Sequence, residues 1–190
     1  MIVALGDIHF RSDKPYFEKV YGEFLRWFRD WGLNEEDNIL ILCGDIVHQA
    51  SNGGIVISYL EEFINASRFG EVHVVVGNHD KKMIHGKSQL AYEFFSQKDR
   101  VYLHDEFSIL RKGSDEYWLC PYYLGLDGNG KTMREAYSEL YKTPHENVKA
   151  LFGHFGDPKS SFQGATDCIE NLDKLEEDGV KVCLGHIHTR

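Results

Sequence analysis

The sequence predicts a single α/β domain over residues 1–190, and two observations carry that expectation. Short apolar runs alternate along the chain with longer amphipathic ones, which is how strands and helices that take turns appear in sequence. Polar residues able to do chemistry then fall just after the apolar runs, each group behind a glycine, where strands would end.

The elements can be justified in order. Ile2 to Leu5 is an expected strand. Tyr16 to Trp31 is an expected helix, because Phe17, Val20, Tyr21, Phe24, Leu25, Phe28 and Trp31 recur at steps of three and four on one face. A strand at Ile39 to Cys43, a helix near Ile55 to Ser67 and a strand at Val72 to Val76 complete a β-α-β-α-β run. Gln89 to Gln97 is expected to be a third helix, followed by shorter strands at Val101 to Leu103, Phe107 to Leu110 and Glu116 to Cys120. Thr132 to Tyr141 is helical in pattern and Pro144 closes it. Lys149 to Phe152 is a strand, Glu170 to Glu177 a helix and Val180 to Leu184 the last strand. Leu124 to Lys131 carries three glycines without the spacing of a phosphate-binding loop, and Gly153 to Asp167 is a longer polar loop.

Composition narrows the function. A hydrophobic share of 42%, with 12 Phe and 10 Tyr, excludes a disordered acidic chain. No apolar run reaches the roughly 18 residues that cross a bilayer, and the first residues lack a basic export region, so a cytoplasmic protein without membrane association is expected. Cys43, Cys120, Cys168 and Cys183 lie far apart without a C-x-x-C pair, as reduced buried thiols do. A net charge of -9 weighs against a non-specific binder of polyanions. It weighs less against a metal-dependent nuclease, since bound dications supply positive charge where a phosphate sits.

The polar groups behind the strands carry the chemistry. Asp7 and His9 follow the first strand, Asp45 and His48 the second, and Asn78, His79 and Asp80 the third. His154 follows the strand at 149–152, and His186 and His188 follow the last. Gly6, Gly44, Gly77, Gly153 and Gly185 stand directly before these groups. In an open α/β sheet the loops at the carboxyl ends of the strands line the binding crevice, so five segments deliver donors to one edge. Imidazole nitrogen mixed with carboxylate and amide oxygen suits Mn²⁺, Fe²⁺, Zn²⁺ or Co²⁺ and is too rich in nitrogen for a Ca²⁺ cage. Any one such residue is more commonly a cap or a hydrogen-bonded loop residue; five groups in this order are not.

Gly6-Asp7-Ile8-His9, Gly44-Asp45, Gly77-Asn78-His79-Asp80, Gly153-His154 and Gly185-His186-Ile187-His188 resemble the five ordered motifs of the calcineurin-like metallophosphoesterases. The resemblance implies a sandwich of two central β-sheets flanked by helices. The family continues into further strands after the position of His188, so the resemblance implies either a chain cut short at its C-terminus or a minimal version of the fold. It implies two divalent ions, Mn²⁺ foremost with Fe²⁺, Zn²⁺, Co²⁺ or Ni²⁺ compatible. Asp7, His9 and His188 would hold one ion, Asn78, His154 and His186 the other, and Asp45 would bridge them. His79 would assist the leaving oxygen, and Asp80 would orient its imidazole.

Gly44-Asp45-Ile46-Val47-His48 is similar to the stretch of the Mre11/SbcD-type nucleases in which a histidine meets the substrate phosphate. The Asp-Arg-Gly and Asn-His-Glu of the protein phosphatases do not occur at these places. The resemblance therefore implies a DNA repair or recombination nuclease, with an SMC-type ATPase partner and pairing of two copies as expectations. A small-molecule phosphodiesterase or phosphatase is the alternative, favoured by the acidic charge, and a non-catalytic scaffold comes third. His73, His85, His104 and His145 are expected to be surface or structural, and Arg11, Lys81 and Lys82 are minor candidates for phosphate contact.

Overall fold

A computed structural model describes residues 1–12, 16–49, 54–84, 87–93, 98–122, 133–138, 140–156, 169 and 171–186. Two four-stranded sheets face each other, with helices on their outer sides. The first sheet holds β1 (Ile2–Leu5), β2 (Ile39–Cys43), β3 (Glu71–Val75) and β6 (Val101–His104), in that spatial order and all parallel. The second holds β10 (Lys181–Gly185), β9 (Val148–His154), β8 (Asp115–Cys120) and β7 (Ser108–Lys112); β8, β9 and β10 are parallel and β7 is antiparallel.

Strand β2 shows why the layers stack this way. All five of its residues are buried, because a parallel strand is covered on both faces. The two-residue period turns Ile39, Ile41 and Cys43 toward the second sheet, where they pack with Val75, Leu119, Ala150 and Phe152. Leu40 and Leu42 turn the other way, into a core shared with α1 (Phe17–Asp30) and α2 (Gly54–Ala66). Tyr21, Leu25 and Phe28 of α1 meet Val56, Leu60, Phe63 and Ile64 of α2 there, both sets at helical spacing. The C-terminal end of α2 is closed by Arg100, whose guanidinium donates to the carbonyls of Ile64, Ser67 and Phe69. On the outer side of the second sheet, α4 (Leu172–Glu177) packs Leu172 and Leu175 against Trp118, Leu151 and Val180.

Two expectations are corrected. The helix expected at Gln89 to Gln97 does not begin there: Lys87–Leu90 is strand β5, paired antiparallel with β4 (Lys81–Ile84). Ala91 then donates its N–H to the Asp80 carbonyl, so pairing with the preceding segment overrides the helical pattern of side chains. The expected helix at Thr132 to Tyr141 is a short α3 (Met133–Ala136) followed by a 3₁₀ turn at Leu140–Lys142. Residues 124–131 and 157–167, with His85, Cys168 and His188, lie outside the described residues. No helix among the described residues is long and apolar enough to cross a membrane.

Candidate metal centre

The candidate ligands gather where the carboxyl ends of the two sheets meet, at the β1 and β10 edges. The loops after β1 and β2 are zipped together by Asp7 N–H to Gly44 O (3.2 Å), His9 N–H to Asp45 O (2.9 Å) and Phe10 N–H to Ile46 O (2.8 Å). His48 N–H returns to Phe10 O at 2.9 Å. Backbone strain is concentrated here. Six non-glycine residues among those described have positive φ, and four are candidate ligands: Asp7 (54°), His9 (52°), Asp45 (49°) and His186 (96°). Each such position costs on the order of 1–2 kcal/mol, so the fold maintains an arrangement that the local chain does not favour.

Close approach explains two of the glycines. A Cβ on Gly44, itself at φ +74°, would lie 2.2 Å from Nδ1 of His154. One on Gly185 would lie 2.2 Å from the Cys43 carbonyl oxygen. Side chains at either place would push the two sheets apart beneath the site.

The side chains form two groups around Asp45. On one side, His154 Nε2 lies 3.2 Å from Asp45 Oδ1 and 3.0 Å from Asn78 Oδ1, and His186 Nδ1 is 3.1 Å from the same Asn78 oxygen. On the other, His9 Nε2 lies 3.7 Å from Asp45 Oδ2 and 4.0 Å from Asp7 Oδ1. The two oxygens of Asp45 therefore face different groups, a placement that suits a bridging carboxylate. Asp7 also accepts the His186 backbone N–H on both oxygens, at 3.0 and 3.2 Å, which ties the loops after β1 and β10 together.

The profile of the calcineurin-like phosphoesterase family matches residues 1–190. The chain belongs to that family. No curated protein is a significant match to the sequence. Among solved structures it is similar to the phosphopantetheinyl hydrolase of Mycobacterium tuberculosis, at 14% identity and TM-score 0.54, over 98% of this chain and 82% of that one. It is also similar to a protein of unknown function from Aquifex aeolicus, at 16% identity and TM-score 0.43, over 94% of this chain and 92% of that one.

Calcineurin-like phosphoesterases work with divalent metal ions, and the donor set fits them. Asp7, His9 and Asp45 each place a donor atom within 4.8 Å of the others, and so do Asp45, His154 and His186. The imidazole of His154 is already turned toward its fellow donors. Its Nδ1–H donates to the Cys43 carbonyl at 2.9 Å, which leaves Nε2 directed at Asp45 and Asn78. Burial works to raise the Asp45 carboxyl, but the His154 hydrogen bond and charge and the N–H of His79 outweigh it and hold its pKa below the ordinary carboxylate range.

His48 and His79 stand beside the His9 group, their rings stacked with centroids 5.6 Å apart. The expectation that Asp80 orients the His79 ring is corrected. Nδ1 of His79 donates to the backbone carbonyl of His48. Asp80 is fully buried and spends its two oxygens on the Val47 N–H (3.1 Å) and the Gly77 N–H (2.8 Å). It clamps the loops after β2 and β3 to each other, and burial, helped by the nearby Asp45 charge, pushes its pKa up against the lowering effect of the Val47 and Gly77 N–H groups. Lys81 is buried and turns its ammonium to the Asp105 carbonyl at 3.4 Å, away from a phosphate role. One neighbour went unnoticed in the sequence: Tyr122, two residues beyond β8, packs its ring 5.8 Å from that of His186 and 6.4 Å from that of His154. Its only sequence signal is an aromatic residue just past a strand that ends on the same edge.

Proposed function

We propose that this calcineurin-like phosphoesterase hydrolyses phosphodiesters with two divalent ions, Mn²⁺ foremost, and that its substrate is nucleic acid, in the manner of the Mre11/SbcD-type nucleases. The observation that carries the reading is the pair of stacked imidazoles, His48 and His79, beside the Asp45 and His9 donors. Asp7, His9 and Asp45, with His188 beyond the described residues, would hold one ion; Asn78, His154, His186 and Asp45 would hold the other. Bound there, the ions would supply a hydroxide nucleophile at neutral pH and a clamp on the phosphoryl oxygens.

The chain's own groups do the rest. With Nδ1 tied to the His48 carbonyl, His79 presents Nε2 to the site, 3.8 Å from Asp45 Oδ2, and from there gives a proton to the leaving oxygen. His48 holds a phosphate oxygen next to it. A cytoplasmic location and a homodimer accord with this reading, as does an SMC-type ATPase partner.

The second reading is a small phosphodiester or phosphomonoester substrate. The net charge of -9 favours it, and so does the likeness to a phosphopantetheinyl hydrolase. The two are separated by assaying the Mn²⁺-loaded protein on single- and double-stranded DNA beside small aryl and alkyl phosphodiesters. Cleavage of DNA supports the nuclease. Turnover of the small esters with intact DNA overturns it and leaves the second reading.

A further inference from the structure

We infer that His9, His48 and His79 form an additional, inhibitory metal site for nitrogen-preferring ions of the Zn²⁺ class, one that cannot be filled together with the His9 half of the two-metal centre. The inference rests on the two-metal reading only through that exclusion.

The geometry is that of a three-imidazole cup. One ring nitrogen from each residue lies within 4.8 Å of the other two. The ring centroids form a nearly equilateral triangle with sides of 5.2, 5.6 and 5.6 Å. The point equidistant from all three lies about 3.2 Å from each centroid, and an ion bonded about 2.0–2.1 Å from an imidazole nitrogen in the ring plane stands at roughly that distance. The spacing therefore suits a single ion once each ring turns one nitrogen toward that point.

The cup is also held in place. His9 donates its N–H to the Asp45 carbonyl and His48 to the Phe10 carbonyl, both at 2.9 Å. His79 donates its N–H to Asp45 Oδ1 at 2.9 Å, and its Nδ1 bonds the His48 carbonyl, which leaves Nε2 as its ligand atom. Three different loops thus fix the backbones of the three histidines and the ring of His79, and Asp45 Oδ2 lies 3.7 and 3.8 Å from Nε2 of His9 and His79, in reach as a fourth donor.

Chemistry selects the ion. Three neutral imidazoles and one carboxylate match tetrahedral Zn²⁺, whereas Mn²⁺ and Mg²⁺ prefer sites richer in oxygen and with more ligands. Asp7, with Asp45, supplies that oxygen to the two-metal arrangement. His9 can serve only one of the two arrangements at a time. Zn²⁺ in the cup would therefore take a ligand from the first ion of the pair and occupy both imidazoles that the proposed reaction needs.

The test uses the full chain loaded with Mn²⁺ and titrated with Zn²⁺, with released Mn²⁺ followed by electron paramagnetic resonance. The expected result is release of one Mn²⁺ per chain while the second stays bound. In H48A and in H79Q, the Zn²⁺ concentration for half-release should rise about tenfold or more, while H145A, a surface histidine paired with Asp178, should match the parent. Release of both ions together, or equal Zn²⁺ sensitivity in H48A and the parent, overturns the site. A chain that takes up no Mn²⁺ would sink the two-metal reading instead. The cup is then judged by Zn²⁺ affinity against a chelating dye, where a loss of about tenfold in H48A supports it and no change overturns it.

Discussion

The two halves of the metal centre are built to different tolerances. Around His154 the donors lie 3.0–3.2 Å apart, and the histidine is fully buried with its tautomer fixed by a β2 carbonyl. Around His9 the separations are 3.7–4.0 Å, and the His9 and Asp7 side chains are each 19% exposed. The difference follows from position. His154 is the last residue of β9, inside the junction of the two sheets, whereas Asp7 and His9 sit on a loop at the sheet edge. A donor set ordered by the core spends little entropy on binding an ion, so the His154 half should load first and hold more tightly.

The most severe way to break this comparison is to remove what the halves share. Asp45→Ala takes one oxygen from each half and leaves the His79 N–H without its acceptor. Activity should fall by at least about 100-fold, beyond the usual cost of losing an outer-sphere partner, and metal analysis should find fewer than two ions per chain. Retention of both ions would show that Asp45 does not bridge.

The comparison is sharpened by single-ligand changes. His154→Ala should weaken the tighter ion by about 100-fold, while His9→Ala should weaken only the looser one, by about tenfold. Titration calorimetry with Mn²⁺ resolves the two events. The reverse assignment, with His9→Ala abolishing the tight event, would place the anchor in the exposed loop and refute the argument from burial.

Asp80 tests whether the loops or the rings set the geometry. Asp80→Ala leaves two buried N–H groups, on Val47 and Gly77, without acceptors, and should cost roughly 2–4 kcal/mol of stability. Because the His79 ring is held by the His48 carbonyl, Asp80→Asn should lower Tm while leaving the pKa values of the activity profile in place. A moved profile would restore Asp80 as the partner that orients His79.

Much of this was legible in the sequence, for identifiable reasons. β2 and α1 declare themselves because each satisfies one strong period, and the ligand groups because each follows a strand and a glycine. What could not be read depended on distant atoms. Gln89 to Tyr92 looks helical by composition, yet its backbone pairs with Lys81–Lys82 and with Asp80. Asp80 adjoins His79 in sequence, but adjacency says nothing of which neighbouring N–H groups its carboxylate meets. The strained φ of Asp7, His9, Asp45 and His186 is only weakly signalled, because aspartate and histidine enter the left-handed region more readily than most residues yet far more often lie elsewhere.

A second polar junction joins the sheets at their opposite edge, and it supplies the mildest test. Glu71 Oε2 bonds His73 Nε2 at 3.0 Å, His73 Nδ1 meets His104 Nε2 at 2.9 Å, and His104 Nδ1 meets the Ser108 hydroxyl at 2.6 Å, linking β3 and β6 to β7. Lys112 closes on Glu71, and Asp105 lies near His104. Burial lowers the pKa of both histidines, that of His104 from its ordinary 6.5 to about 4, since an imidazolium there would face another imidazole. The unfolded chain takes up protons first as pH falls, so the stability this junction provides is complete above pH 6.5 and is lost between 6.5 and about 4. The loss should be on the order of 1–2 kcal/mol once partial exposure is allowed for. It should persist in metal-saturated protein at the upper end of that range, because no candidate ligand belongs to the junction. His104→Phe should flatten this part of the Tm-against-pH curve, and an unchanged slope in that variant would assign the acid sensitivity to the metal centre instead.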